Sequence, residues 1–127
     1  MKTKLYLLLL LGLAAACNRH SKKPRLYLHN PLVIMDTVHM DTTYTIWFVL
    51  LNKGEAPLEI DTIAPTCECT LPLLPEKTLN PRDSMPMRVE FRPQDTGYFA
   101  KTLIIRSNCD TTFAELHFQG YCRRKRR

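Results

Sequence analysis

The fold of this chain is indicated most clearly by the stretch MPMRVEFR, residues 85–92. Positions 86, 88, 90 and 92 hold a proline or a charged residue, and the positions between them are apolar: Met85, Met87, Val89 and Phe91. Side chains of a β-strand point alternately to its two faces. The stretch therefore predicts a strand with one face in a core and the other in water.

The rest of the body divides into similar short strands separated by Pro, Asn and Gly turns. Residues 44–51, YTIWFVLL, are apolar in both alternating sets except at Thr45, which predicts a central strand. Further alternation marks strands within residues 32–35, 58–61, 99–105 and 114–118. About seven short strands without helical periodicity predict an all-β fold, an immunoglobulin-like β-sandwich preceded by an N-terminal signal helix.

The first 16 residues have the order of a secretory signal. Lys2 and Lys4 precede an apolar run from Leu5 to Leu13, and three alanines follow. The apolar stretch up to Ala16 has 12 residues, whereas a membrane-spanning helix takes about 20. No later stretch is long enough, so we expect no transmembrane segment in the mature protein.

Cys17 follows the alanines directly, and two kinds of processing fit this position. Ala14-x-Ala16 suits an ordinary signal peptidase, which would leave a free N-terminal thiol. Residues 13–17, LAAAC, also resemble a lipobox, in which the cysteine is acylated before cleavage, although Leu13 stands one position early. We favour acylation, because a cysteine directly after three small residues is otherwise unexplained. Cys17 is then the lipidation site (palmitate), and the membrane is a partner through it.

Charge divides the chain into an acidic body and two basic ends. The formal net charge is +6, yet all 12 acidic residues lie between Asp36 and Glu115, against seven basic ones, giving this body −5. The linker, residues 17–30, carries four basic residues that would reinforce a lipid anchor on anionic headgroups. The tail, residues 123–127 (RRKRR), is expected to be a solvated end, and export argues against nucleic acid as a partner. The sandwich itself is predicted to span residues 31–122.

The motifs of the body follow an order that resembles a known family. They are FxLxNxG at 48–54, PLxI at 57–60, TCECT at 66–70, GYFxK at 97–101, SN at 107–108 and LxFxG at 116–120. Over residues 26–122 the chain resembles uncharacterised bacterial lipoprotein domains, filed as a domain of unknown function. That family is similar to the Hydin-like and major-sperm-protein-like branch of immunoglobulin-type domains. The resemblance implies a fold and a compartment but brings no activity.

Two positions depart from that family, and three others are expected to shape turns. Glu68 and Arg82 stand where glycine is usual, the second of them directly after Pro81. Asn52 and Gly54 suit a turn that needs a side-chain hydrogen bond and a positive φ. Asn108 is expected to act in the same way beside Asp110, at the tip of a hairpin.

One group is chemically suggestive, Cys67-Glu68-Cys69. In an extended segment both thiols would face one side and could hold a soft metal such as Cu(I) or Zn(II), with Met85 and Met87 as further ligands. A cysteine pair is short of the four ligands of structural zinc, and both methionines occupy core-facing positions. We therefore predict no cofactor, and the metal site stays the alternative.

A disulfide is the commoner fate of cysteines in the oxidising envelope. Cys109 and Cys122 lie at opposite ends of the last predicted strand, more than ~20 Å apart. A disulfide tolerates a Cα separation of at most ~7 Å. Any bridge therefore involves Cys67 or Cys69, either with each other or with whichever of the other two lies at their end.

The sequence contains no arrangement typical of a catalytic site. It has no phosphate-binding Gly loop, no His-Glu-x-x-His and no nucleophile elbow around Ser21, Ser84 or Ser107. We predict that the chain is not an enzyme.

We expect a membrane-tethered envelope lipoprotein, a binding or scaffolding module for another envelope protein. The alternative function is metal or thiol-redox handling through Cys67 and Cys69. Residues 18–23, NRHSKK, are basic, whereas surface-directed lipoproteins often carry acidic residues there. We therefore expect the chain on the periplasm-facing side of the outer membrane.

Overall fold

The computed structural model describes residues 21–109 and 113–127 of the 127-residue chain. The signal segment 1–16, Cys17 and Asp110 lie outside the described residues. The described residues form nine strands: β1 (Leu26–Leu28), β2 (Leu32–His39), β3 (Tyr44–Asn52), β4 (Leu58–Pro65), β5 (Thr70–Leu73), β6 (Thr78–Leu79), β7 (Ser84–Phe91), β8 (Gly97–Ser107) and β9 (Phe113–Arg123).

The strands form the two facing sheets of a sandwich. One sheet has the order β1-β3-β7-β5 and the other β2-β9-β8-β4-β6. Neighbours are antiparallel except β2 and β9, which run parallel. The predicted all-β sandwich is confirmed, and its longer strands are β2, β3, β4, β7, β8 and β9. The sequence did not reveal β1, β5 and β6, because two to four residues are too few to establish an alternation.

The core lies between the sheets and is built from the inward-facing set of each long strand. The alternation predicted for residues 85–92 is confirmed, since its four apolar residues are all buried. The rings of Phe91, Phe99 and Phe118 pack together, with centroids 4.9 Å apart for Phe91 with each of the others. The core residues with no exposed surface are Phe48, Leu50, Leu58, Met87, Val89, Leu103, Leu116 and Phe118.

The chain enters the fold at one pole of the sandwich and leaves it at the other. At the entry pole, Lys23 O accepts a hydrogen bond from Glu55 N (2.9 Å), and Leu26 N donates to Cys109 Sγ (3.3 Å). At the exit pole, Cys122 lies opposite Gly97. The 11 residues of β9 separate the two poles by about 35 Å at the usual rise of a strand. The predicted placement of Cys109 and Cys122 at opposite ends is confirmed.

Asn52 holds the entry pole together from inside. Its side chain is 1 % exposed, and Oδ1 accepts hydrogen bonds from Gly54 N (3.0 Å) and Arg25 N (3.2 Å). Its Nδ2 donates to Ala56 O (2.8 Å) and Leu79 O (3.0 Å). The predicted side-chain hydrogen bond of this turn is confirmed, and it reaches beyond the turn to the entering chain and to β6.

Gly54 does not have the predicted positive φ, since the glycine with positive φ in the described residues is Gly97. The reason for glycine at 54 is close approach, because a Cβ there would collide with the backbone of Lys23 to Arg25. The side chain of Asn108 bonds across the sheet, where its Oδ1 accepts from Glu59 N (2.9 Å) and its Nδ2 donates to Pro57 O (3.2 Å). The hairpin tip predicted for it includes Asp110, which lies outside the described residues.

We expect Asn52→Ala to lower the free energy of unfolding by about 3 kcal/mol, because several buried backbone groups lose their partners. Urea unfolding of the two proteins measures the difference. Asn30→Ala is the control, since Asn30 also makes two side-chain bonds, to Trp47 O (2.9 Å) and Val49 N (3.0 Å), at a more exposed site. Its loss should be about 1 kcal/mol. Equal losses in the two variants would contradict the role given to Asn52.

Arg82, one of the two departures from the family pattern, has a φ of 68°. This left-handed conformation costs a residue with a Cβ roughly 1–2 kcal/mol. We expect Arg82→Gly to raise the free energy of unfolding by about 1 kcal/mol, part of the relief being offset by the greater freedom of glycine in the unfolded chain. The same change at Arg88, inside β7, should instead destabilise. A loss of stability in Arg82→Gly, measured by urea unfolding, would refute this account.

Candidate functional site

The segment Thr66–Cys69 forms a turn between β4 and β5, so the predicted extended conformation of the two cysteines is wrong. Thr70 N donates to Cys67 O (3.2 Å), which closes the turn. Thr66 fastens it to β8, because Thr66 N donates to Thr102 O (3.0 Å). On the other side Arg92 N donates to Cys69 O (3.0 Å).

Cys67 and Cys69 are joined to each other in a disulfide, with their Cα atoms 5.1 Å apart. Of the pairings that the sequence left open, the structure contains this one. Cys69 is buried and Cys67 half-buried, while Glu68 between them is exposed. The bridge borders an open cleft of about 310 Å³ at the exit pole, whose wall includes Tyr98, Phe99 and Lys101.

The two cysteines and two methionines proposed as metal ligands do not form a metal site. The bridge removes both thiolates of Cys67 and Cys69. Met85 and Met87 are buried core residues of β7, and their pairing partners on β3 are Leu50 and Phe48. Within residues 21–109 and 113–127, no cluster of three or more His, Cys, Asp or Glu side chains could hold a metal ion.

Two further cysteines of the described chain are free thiols, Cys109 and Cys122. Burial raises the pKa of the Cys122 thiol above its ordinary value, and the nearby carboxylates of Asp41 and Asp95 add to this rise. A raised pKa leaves less thiolate at a given pH, so Cys122 is a poor nucleophile. Cys122 lies at the same pole as the Cys67–Cys69 bridge but takes no part in it.

The outer surface of the four-stranded sheet is the second candidate site, and sequence reasoning missed it. Trp47 lies near its middle and is 55 % exposed. Cross-strand partners share a face, so the register gathers apolar side chains on both sides of the central pair Trp47 and Arg88. We call this surface the Trp47 face; its apolar members are Tyr27, Trp47, Val49, Leu51, Leu71, Leu73 and Pro86.

The Trp47 face carries one ion pair and one cation–π contact. Arg88, opposite Trp47 in the register, forms an ion pair with Glu90 at 3.7 Å. The Lys53 ammonium lies over the Tyr27 ring, 3.4 Å from its centroid. The middle of the face is therefore electrically balanced on a body with a net charge of −5.

The sequence contained one signal of the Trp47 face, the second apolar set of residues 44–51. That set indicates an apolar face but not whether anything covers it.

The outer surface of the five-stranded sheet is different, because polar contacts interrupt it. Tyr98 OH donates to Gln119 Oε1 (3.2 Å), and Thr102 Oγ1 lies 3.0 Å from His117 Nδ1. His117 Nε2 lies 3.3 Å from a carboxylate oxygen of Glu115. Exposed apolar side chains occur here too, but between these polar groups: Leu32, Ile34, Tyr98, Phe113 and Tyr121.

Comparison with known proteins identifies a family and a fold. A family profile described as protein of unknown function (DUF1573) matches residues 28–122. No curated protein sequence matches the chain. A protein of unknown function from Porphyromonas gingivalis W83 superposes with a TM-score of 0.71 and 14 % identity, over 83 % of this chain and 50 % of that one. The present chain thus spans about half the length of that relative.

Two further structures share the fold. PapD-like domain 7 of human CEP192 has a TM-score of 0.64 and 11 % identity, over 82 % of this chain and 89 % of that one. The secreted serine protease VesC from Vibrio cholerae has a TM-score of 0.56 and 12 % identity, over 82 % of this chain but 23 % of that one. At such low identities the superpositions establish a PapD-like, immunoglobulin-type sandwich fold and nothing about activity. The predicted resemblance to a family of unknown function and to the immunoglobulin-type fold is confirmed.

The described part of the chain has no helix that is both long and apolar enough to span a membrane.

We expect thiol mapping to separate the disulfide from the metal alternative. When the native protein is denatured in the presence of an alkylating reagent, Cys109 and Cys122 should be labelled, and Cys67 and Cys69 should be labelled only after reduction. Cys122 should react more slowly than Cys109 in the native protein, because its thiol is buried and its pKa is raised. Peptide mass spectrometry reads all four positions. Cys67→Ser is the control, since it should make Cys69 reactive without reduction. Four free thiols together with a metal in the native mass would overturn this assignment.

Proposed function

The chain belongs to the DUF1573 family of proteins of unknown function, and we propose that it is a non-catalytic, lipid-anchored binding module of the cell envelope. Its anchor is Cys17, and its compartment is the periplasm-facing side of the outer membrane. Its binding surface is the Trp47 face, which receives another envelope protein.

The observation that carries this proposal is the open apolar face. Soluble monomeric domains rarely expose a large contiguous apolar surface, and those that do commonly use it to bind. Trp47 has the character of an interface anchor, because a large aromatic side chain supplies much contact area once water is removed. The rigid central strand β3 holds it in place, between β1 and β7.

The position of the anchor leaves this face accessible from the side. Five residues lie between Cys17 and Lys23, whose carbonyl is already bonded to the fold, so these six residue steps reach at most about 22 Å. The entry pole therefore stays near the bilayer. A tether of this length limits how far the entry pole can move from the bilayer and leaves both sheet faces open to neighbours.

Photo-crosslinking in the native envelope tests the proposal. A photoreactive amino acid replaces Trp47 in one variant and Tyr98 in the control, which lies on the other sheet and is more exposed at 68 %. We expect a discrete cross-linked product from position 47 and none of comparable yield from position 98. The control matters because chance collisions would label the more exposed position at least as strongly. Equal labelling of the two positions, or none at position 47, would contradict the proposed binding face.

A second candidate function, thiol–disulfide exchange, is favoured by the bridge beside an open cleft. An incoming thiolate would attack Cys67 or Cys69, form a mixed disulfide and release the other sulfur as thiolate; resolution by the partner's second thiol leaves this chain reduced and the partner oxidised. Thiol mapping after incubation with a dithiol protein decides it. Stoichiometric transfer of the bridge to that protein supports exchange, and an unchanged bridge excludes it.

A further inference from the structure

We infer that Cys67 is the sulfur through which this chain passes its disulfide to a dithiol protein, and that the Lys101 ammonium stabilises the Cys67 thiolate that remains. The inference rests on the second candidate function, thiol–disulfide exchange, and names its reactive sulfur and the residue that supports it. It is carried by the small loop of the bridge, by the hydrogen bonds of the turn and by the position of Lys101. The Trp47 face takes no part in it.

The Cys67–Cys69 bridge contributes little to the stability of the fold. It closes a very small loop, with one residue between the two cysteines. A cross-link stabilises a protein mainly by restricting its unfolded chain, and this effect grows with the length of the closed loop. The turn is also held by bonds that involve no sulfur. Thr66 N donates to Thr102 O (3.0 Å), and Arg92 N donates to Cys69 O (3.0 Å).

The backbone of the turn keeps the two sulfurs close after the bridge opens. Thr70 N donates to Cys67 O (3.2 Å), so the turn is closed by main-chain groups. Reduction leaves this bond in place, and the two thiols stay at neighbouring positions. Groups held together in this way react as though at high concentration. The bridge can therefore form again when another disulfide reoxidises the chain.

Cys67 is the sulfur that a partner can reach. It is half-buried and borders the open cleft of about 310 Å³ at the exit pole, whereas Cys69 is 8 % exposed. The rate of exchange depends on access to the attacked sulfur. An incoming thiolate therefore attacks Cys67 and displaces Cys69.

The exchange balances as a two-electron transfer. The partner's first thiolate bonds to Cys67 Sγ, the bridge breaks, and Cys69 leaves as a thiolate. The partner's second thiolate then attacks the partner's own sulfur in the mixed disulfide and releases Cys67 as a thiolate. The partner is oxidised to a disulfide and this chain is reduced to a dithiol. The two protons lost by the partner's thiols balance the two thiolates formed here.

A backbone hydrogen bond stabilises the released Cys67 thiolate. Cys69 N donates to Cys67 Sγ (3.1 Å) within the turn. Such a bond becomes stronger when its acceptor carries a charge. It therefore favours the thiolate over the bridged sulfur.

Lys101 supplies a positive charge at the same place. Pro65 lies opposite Leu103 and Thr66 bonds to Thr102, so Cys67 comes next beside Lys101, and both line the cleft. No ion pair engages the Lys101 ammonium within the described residues. A neighbouring cation favours a thiolate, and a stabilised reduced form makes a disulfide a stronger oxidant.

Two carboxylates near the bridge have the opposite effect. Glu68 lies between the two cysteines and is exposed, and Asp95 lines the cleft. Their negative charges disfavour a thiolate, so removing one of them should act in the opposite direction to removing the charge of Lys101.

Equilibration with glutathione tests the inference. The full chain is incubated in mixtures of reduced and oxidised glutathione, free thiols are alkylated, and peptide mass spectrometry gives the fraction of open Cys67–Cys69 bridge. Lys101→Gln should lower the equilibrium constant for opening about threefold or more, and Lys101→Arg should restore it. Glu68→Gln should raise the constant by about twofold. Lys77→Gln is the matched control, since Lys77 is exposed and does not line this cleft.

Trapping identifies the reactive sulfur. Cys69→Ser leaves Cys67 as a free thiol, and Cys67→Ser leaves Cys69. With oxidised glutathione, a mixed disulfide should form at Cys67 about tenfold faster than at Cys69. Circular dichroism checks the fold of both variants. The variants of Lys101 and Glu68 keep both cysteines, so they decide the question where a serine variant does not fold.

The inference falls if the bridge stays closed in an excess of reduced glutathione, as structural disulfides do. It also falls if Lys101→Gln and Lys77→Gln act alike, or if folded variants react equally fast at Cys67 and Cys69. Any of these results leaves the binding module in place, because its test is cross-linking at position 47. Absence of that cross-link leaves the exchange chemistry untouched.

Discussion

The hydrogen bonds of Asn52 are the constraint on which the geometry of this domain depends. One buried amide joins the entering chain at Arg25, the turn at Gly54 and Ala56, and the short strand β6 at Leu79. A side-chain amide whose oxygen and nitrogen are both hydrogen-bonded stabilises the segments it joins. It also fixes their relative orientation, because each partner must lie in a set direction from the amide. The segment around Arg25, near the start of the described chain, is thereby held against the sandwich.

Most of the fold was predictable, because its long strands alternate and their turns are marked by Pro, Asn and Gly. The alternation from Met85 to Phe91 predicted one buried face, because burial of the apolar set alone determines which side chains of a strand face the core. Other features depend on contacts between distant segments, which no local pattern contains. Gly54 avoids a collision with residues 23–25, so it was recognised but given the wrong reason, and Asn108 makes a bond to Glu59 of β4 that was not predicted. The glycine expected after Pro81 was a better guide, since Arg82 in its place has a positive φ.

The candidate site was predictable only in part. The sequence singled out Cys67 and Cys69 and limited their pairings, but it treated the segment as extended, whereas a turn closed by Thr70 brings the two sulfurs together. Trp47 was assigned to a strand with two apolar faces. Periodicity cannot distinguish a face covered by protein from one that is open, because the same residue types serve both. The surface on which the proposed function depends therefore became apparent only from the sheet order, in which nothing described lies over β3.

The pairing of β2 with β9 joins the two ends of the body. Leu32 lies beside His117 in a parallel ladder, and Val38 lies beside Cys122. Such non-local pairing slows folding, since a long loop must close before the contacts form. Synthesis proceeds from the N-terminus, so β2 is made early and waits for the last strand to arrive. The chain is then almost complete before the five-stranded sheet can close. Until that moment Leu32 and Ile34 lack their neighbours on β9, so the new chain passes through an interval in which it is open to chaperones, proteases and aggregation.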